Sequence, residues 1–276
     1  MDDHISKLKF RFAVTAAPWA LKGAPVLLCG QMRPQFERAK TLGYDAIELH
    51  LLTPDDANSS EVRQLKEEYG IEVAAVATGL SKLVDNLSFI DDNPVVRIRA
   101  VDRIKSFVDW SAELNCGIVI GSLRSTLPDD SRAQCIDRIT DCISDILDYA
   151  KPAKVPIYLE VINRYESNFL NTAKEATEYF INFSSDWLFI HLDTFHMNIE
   201  EASTEEAIML CGARLGHIHF ADNTRHACGD GTIDFKKVMG ALKRISYSGY
   251  ISVECLPIPD GITAAKDSII HIKKFI

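Results

Sequence analysis

"PIYLEVINRYE" occupies residues 156–166. Its first half is a short, uncharged apolar run, the composition of a strand covered on both faces. Where that strand should leave the core stands Glu160, and a second carboxylate, Glu166, follows six residues on. A buried carboxylate is costly unless a positive group meets it. The stretch therefore reads as a core strand that delivers a charged group to a functional surface.

The same unit recurs along the chain. Strand-like runs are "RFAVTA" (11–16), "DAIELH" (45–50), "IEVAAVA" (71–77), "GIVIGS" (117–122), "PIYLEV" (156–161), "WLFIHLD" (187–193), "LGHIHFA" (215–221) and "YISVECL" (250–256). Longer segments of helical period lie between them. "RIRAVDRIKSFVDWSAEL" carries Ile98, Val101, Ile104, Val108 and Leu114 on one face, and "AQCIDRITDCISDILDYA" carries Ile136, Ile139, Ile143, Ile146 and Leu147. "YGIE", "LNCGI" and "SYSGYI" set a glycine between helix end and next strand. Eight strands alternating with helices predict an α/β chain folded as a (β/α)8 TIM barrel, one domain over residues 1–276. A doubly wound open sheet is the rival, because strand count does not prove closure. The longest strand-to-helix connection is "TGLSKLVDNLSFIDDNP" (78–94), after the third strand. In a barrel it lies on the face that carries active sites.

Composition narrows the partners. The 276 residues are 47% apolar and 25% charged, with a net charge of −9. That balance speaks against nucleic acid, which needs a basic face, and against an anionic membrane. The seven cysteines are scattered, odd in number and without a C-x-x-C pair, as in free thiols of a reducing compartment. The N-terminal "MDDHISKLKFRF" has no apolar leader core. No run approaches the roughly 18–20 apolar residues of a spanning helix. A cytoplasmic protein is expected.

The polar groups collect late in the chain. The exits of the last four strands hold Glu160, Asp193, His219 and Glu254, at spacings of 33, 26 and 35 residues, each about one strand–helix unit. Any one of them alone reads as a helix cap, a loop ion pair or a satisfied core histidine. Four in succession aim three carboxylates and one imidazole at the same mouth. That donor set suits one divalent cation: Mn²⁺ first, Mg²⁺ or Co²⁺ next, Zn²⁺ as a further option. Glu166, His196 and Arg225 follow Glu160, Asp193 and His219 closely in sequence and read as hydrogen-bonding partners of a polyol. Their bland readings are an ion pair of Glu166 with Arg164, a helix cap at His196 and a surface charge at Arg225. His217 alternates with His219 on its strand and reads as a supporting residue behind the ligand.

"LEVINRYESNFLNT", "HLDTFHMNIEE", "LGHIHFADNTRHACGDGTIDF" and "ISVEC" resemble the xylose-isomerase-like TIM-barrel superfamily, and within it the ketose 3-epimerases acting on psicose and tagatose. "GLSKLVDNLS" is similar to the third loop of that family. The resemblance covers about residues 156–256 and is architectural before that. It implies that Glu160, Asp193, His219 and Glu254 ligate the metal and that Glu160 and Glu254 double as the acid/base pair. It further implies that Glu166, His196 and Arg225 bind sugar hydroxyls, and that the chain forms a homodimer or homotetramer. Trp19, in "FAVTAAPWALKG" after the first strand, stands where it would cover a substrate or simply pack.

The sequence departs from the epimerase pattern at Phe220-Ala221-Asp222, where Gly-Glu is usual, and at Cys228-Gly229, where Pro-Gly is usual. Aldose–ketose isomerases of the apiose type, inosose isomerases or dehydratases, and a non-catalytic sugar-binding barrel therefore stay open. An endonuclease of the same superfamily needs histidines on the third and fourth strands. Those exits here are Thr78 and Ser122.

Overall fold

The computed structural model describes residues 9–276, so the first eight residues of the acidic N-terminal stretch lie outside the described residues. The strands are β1 (Arg11–Ala17), β2 (Leu28–Cys29), β3 (Ala46–His50), β4 (Glu72–Ala77), β5 (Gly117–Ile120), β6 (Ile157–Glu160), β7 (Leu188–Asp193), β8 (Leu215–Phe220) and β9 (Tyr250–Val253). All pairings are parallel, in the order β2-β1-β3-β4-β5-β6-β7-β8-β9. β1 also pairs with β9, with Arg11 opposite Tyr250 and Val14 opposite Val253. That pairing closes the sheet, so the barrel is correct and the open sheet is not. The eight expected runs are its eight staves. β2 was not anticipated: two residues in the β1–α1 connection pair with the upper end of β1.

The helices run α1 (Met32–Leu42), α2 (Ser59–Tyr69), α3 (Leu80–Leu83), α4 (Pro94–Leu114), α5 (Arg132–Ala153), α6 (Ala173–Tyr179), α7 (Thr194–Glu200), α8 (Thr204–Cys211), α9 (Phe235–Arg244) and α10 (Gly261–Ile272). Their starts follow capping chemistry. Asn58 accepts from the backbone N–H groups of Ser60 and Glu61, and Asn93 accepts from that of Val95 with Pro94 in the first turn. Of the three turn glycines expected, Gly70 takes the left-handed cap. The other two turns are made by Asn115 (φ 55°) and Ser246 (φ 54°). Gly117 instead begins β5, where any Cβ would collide with the Tyr158 ring.

Two layers form around the staves. Val14, Ile47, Val76, Ile118, Ile157, Ile190, Ile218 and Ile251, one from each stave, are fully buried in the shared core under the helices. Each contributes about 1.5–3 kcal/mol relative to exposure. Period-2 alternation sends their neighbours into the barrel interior. There Ala75, Ala77 and Val119 pack with Tyr158 as a separate small cluster. Among the described residues no helix is long and apolar enough to cross a membrane.

Candidate active site

The strand exits carry the polar groups to one mouth. A cavity of about 300 Å³ opens there, lined by Glu160, His219, Arg225, Glu254, Glu166 and His196 among others. Trp19, partly exposed, forms part of its wall, and so do Gly79, Leu80 and Leu83 from the 78–94 connection. That connection is therefore not a bare loop: α3 folds within it and reaches the cavity.

Asp193 ends β7 and caps α7. Its Oδ1 accepts from the Phe195 N–H at 2.7 Å, while its buried Oδ2 has no partner. His219, on the adjacent strand, turns Nδ1 toward the same point, 3.9 Å from Asp193 Oδ2 and 3.4 Å from Glu254 Oε2; this nitrogen too is buried without a hydrogen bond. Glu160, Asp193 and His219 each offer a ligand atom within 4.8 Å of the others. Two orphaned buried atoms, hard oxygens and one imidazole nitrogen fit a divalent cation.

Electrostatics agree with that fit. Burial pushes the Glu160 carboxyl up to about 8, with the Glu254 and Asp193 charges adding to it against His219. Burial and then Glu254 raise Asp193 to about 7. Glu254 goes the other way, to about 2, because His219 and Arg225 overcome its burial. Three carboxylates in one buried pocket thus compete for too little positive charge.

A second tier surrounds this set. Arg225, in the left-handed region at φ 60°, donates Nη2 to Glu254 Oε2 at 3.1 Å and holds Nη1 3.5 Å from Glu166 Oε1. Its guanidinium lies 5.0 Å over the Phe195 ring. It is not a free surface charge. Arg164 pairs with Glu200, not with Glu166. His196 lies inside α7 and is not its cap. Burial, helped by Arg225, drives its imidazole down to about 3, so it is neutral. Asn163 Nδ2 stands 2.6 Å from His196 Nδ1 and donates to Glu166 Oε1 at 3.1 Å. An amide nitrogen only donates, so His196 Nδ1 accepts and Nε2 carries the hydrogen. That N–H lies 3.9 Å from Glu160 Oε1 and 4.0 Å from Asp193 Oδ2.

Several contributors were not anticipated. Glu48 and His50, from β3, reach the same interior. Glu48 bonds His217 and His219, and His50 Nε2 sits 3.7 Å from an oxygen of both Glu48 and Glu254. Period-2 spacing in "IELH" was the available signal. His217 lies two residues before His219 on β8, its ring stacked on Tyr158 at 5.2 Å. His191, also unanticipated, packs edge-on to His219. Arg124 is fully buried and donates to the backbone carbonyls of Gly121, Phe169 and Glu160. Gly121 leaves room for the Glu160 carboxylate, which a Cβ there would strike.

The departure at residues 220–222 is a feature of loop construction. Asp222 is buried and accepts from the N–H groups of Asn223, Ile233 and Gly229. Its own backbone carbonyl accepts from the Arg225 N–H at 2.8 Å. Asp222 therefore shapes the loop that presents Arg225.

Several known proteins are similar to this chain over most of its length. The L-ribulose 3-epimerase of Methylomonas sp. (strain DH-1) is 31% identical over 87% of this chain and 81% of its own. The D-psicose 3-epimerase of Agrobacterium fabrum (strain C58 / ATCC 33970) is 32% identical over 80% and 78%. The 3-dehydro-D-guloside 4-epimerase of Escherichia coli K12 is 29% identical over 87% and 93%. Among solved structures, a D-allulose 3-epimerase from Methylomonas sp. superposes with a TM-score of 0.81 at 24% identity, over 97% of this chain and 99% of that one, which speaks for the fold. The xylose isomerase-like TIM barrel family matches residues 36–275, and this chain belongs to it, as an enzyme of its isomerase and epimerase kind.

Proposed function

We propose that the chain is a divalent-metal-dependent ketose 3-epimerase acting on a free ketose. The observation that carries the proposal is the convergence at the mouth: Glu160 ends β6 and Glu254 directly follows β9, with Asp193 and His219 from the two strands between them. The curated relatives named as ribulose and psicose 3-epimerases support the substrate class.

A cation held by Glu160, Asp193, His219 and Glu254, with Mn²⁺ preferred over Mg²⁺, Co²⁺ or Zn²⁺, would supply Lewis acidity that makes the proton beside the C2 carbonyl removable. The chain's own residues do the rest. One of the two carboxylates takes the C3 proton, leaving a cis-enediolate, and the other returns a proton to the opposite face, which inverts C3. Arg225 holds Glu254 by its Nη2 and turns Nη1 toward Glu166, so both are oriented before substrate arrives. His196 donates its Nε2–H, and Glu166 accepts, for sugar hydroxyls. Trp19 covers the sugar and limits water.

The same reading takes the chain as a homodimer or homotetramer of the cytoplasm. Free thiols at all seven cysteines are in keeping with a reducing compartment.

The deciding experiment incubates the chain with Mn²⁺ in D₂O and a sugar panel (fructose, psicose, tagatose, apiose, xylulose and ribulose), beside Glu254→Gln, read by NMR. Deuterium at C3 of a ketose with inverted product is expected, and its loss in Glu254→Gln. Deuterium at C1 of a ketose or C2 of an aldose would replace this reading with an aldose–ketose isomerase. No exchange from any sugar would sink it in favour of a cyclic substrate or a non-catalytic barrel.

A further inference from the structure

Glu48 has no part in the chemistry above, yet it is fully buried at the centre of the barrel. Its Oε2 is 2.7 Å from His217 Nε2 and its Oε1 is 2.8 Å from His219 Nε2. A carboxylate accepts and cannot donate, so both imidazoles carry a hydrogen on Nε2. An ion does not join these groups. Two ligand atoms sharing a tetrahedral ion at 2.0–2.1 Å stand about 3.3 Å apart, wider than either spacing here.

The consequence falls on the far nitrogen of His219. With Nε2–H committed to Glu48, the nitrogen left for a ligand bond is Nδ1, and Nδ1 is the one facing Asp193 and Glu254. The other carboxylate oxygen is tied to His217, whose ring stacks on Tyr158 with only 17° between planes. Glu48 is therefore braced from behind and cannot swing away from His219. Its strand stands opposite β7 in the closed ring, so one side chain ties the two sides of the barrel together.

We propose that Glu48 is a positioning residue for the cation: it fixes the ring and tautomer of His219 so that Nδ1 is presented as the ligand nitrogen. The proposal rests on the metal-dependent reading above. Hydrogen-bonding partners behind ligand imidazoles of this kind change metal affinity by about 10–100-fold when removed.

The test is Co²⁺ binding, followed by calorimetry and by the visible absorption of the bound ion, for the wild type, Glu48→Ala and Glu48→Gln. The wild type binds one ion, Glu48→Ala binds it about 10–100-fold more weakly, and Glu48→Gln falls between because an amide oxygen can still accept from His219. A purely structural Glu48 would lower the unfolding temperature of Glu48→Ala and leave its Co²⁺ affinity within twofold of wild type, which would overturn the proposal. A wild type that binds no Co²⁺ would overturn the metal reading itself. Should Glu48→Ala not fold, nitrogen NMR of the histidine rings in the Zn²⁺-loaded wild type decides. A hydrogen on Nε2 of His219 is expected, and a hydrogen on Nδ1 overturns the proposal.

Discussion

The two halves of the barrel are built from different materials. β1, β4 and β5 fill the interior with Ala13, Thr15, Ala75, Ala77 and Val119. β6 to β9 fill it with Tyr158, Glu160, His191, Asp193, His217, His219 and Glu254, joined by Glu48 and His50 from β3. The outward layer is the same all round, a β-branched residue on every strand, so the difference is not one of stability. It is one of volume. Large polar side chains can crowd a closed barrel because β1, β4 and β5 give it only small residues. Small residues on the early strands are thus as much a part of the site as the acids on the late ones.

The comparison is tested most severely on the polar half. Glu160→Gln keeps the shape of the side chain and removes its ability to take a proton. Deuterium exchange into the substrate should fall by about 10²–10⁴-fold with the fold intact by circular dichroism. Activity within tenfold of wild type would show that Glu160 is not one of the acid/base pair. On the small-residue half, Gly121→Ala adds one methyl group that meets the Glu160 carboxylate and the Ile162 side chain. Displacement of a reacting group by about 1 Å costs on the order of 10²-fold, so kcat should drop while the unfolding temperature stays near wild type. An unchanged kcat would mean that the early strands are filler.

Arg124 links the halves through backbone. It leaves the β5 exit and donates to carbonyls at Gly121, Glu160 and Phe169, and burial brings its guanidinium down to about 10 against the pull of Glu160. Arg124→Met fills the space but takes the donor from the Glu160 carbonyl, while the Gly121 carbonyl keeps the Arg124 backbone N–H and the Phe169 carbonyl keeps the Ser167 hydroxyl. An unsatisfied buried group costs about 1–3 kcal/mol, so urea unfolding should show a loss of about that size. A loss below about 1 kcal/mol would mean that water replaces the guanidinium.

The same contrast explains what could be read in the sequence. All eight staves were legible because each is a compact apolar run bounded by turn residues and helical periods. The two residues of β2 were not, because a pairing that short carries no periodic signal. Glu160, Asp193, His219 and Glu254 stood out because they end apolar runs at near-regular intervals. Glu48 and His50 did not: "IELH" reads as a strand drifting into a polar loop, and their importance depends on histidines 169 and 171 residues away. Arg124 was hidden for a related reason, since its partners are backbone carbonyls, which sequence does not distinguish. Gly117 was misread as a turn glycine because the Tyr158 ring it accommodates is on the next strand.

The smallest expected effect concerns the second tier. Asn163 supports His196 and Glu166 with one amide nitrogen, and touches nothing else in the cavity wall that the mechanism uses. Removing it by Asn163→Ala leaves the acid/base carboxylates and their neighbours in place. What is lost is the bond to His196 Nδ1, which fixes where its Nε2–H points, together with the one to Glu166 Oε1. A neutral hydrogen bond of this type is worth about 0.5–1.5 kcal/mol, or roughly 2- to 12-fold in an equilibrium. Because it acts on ground state and transition state alike, the change should appear in KM, with kcat held within about twofold. A fall in kcat with KM unchanged would place His196 among the groups that handle the proton, and would move the boundary between the two tiers.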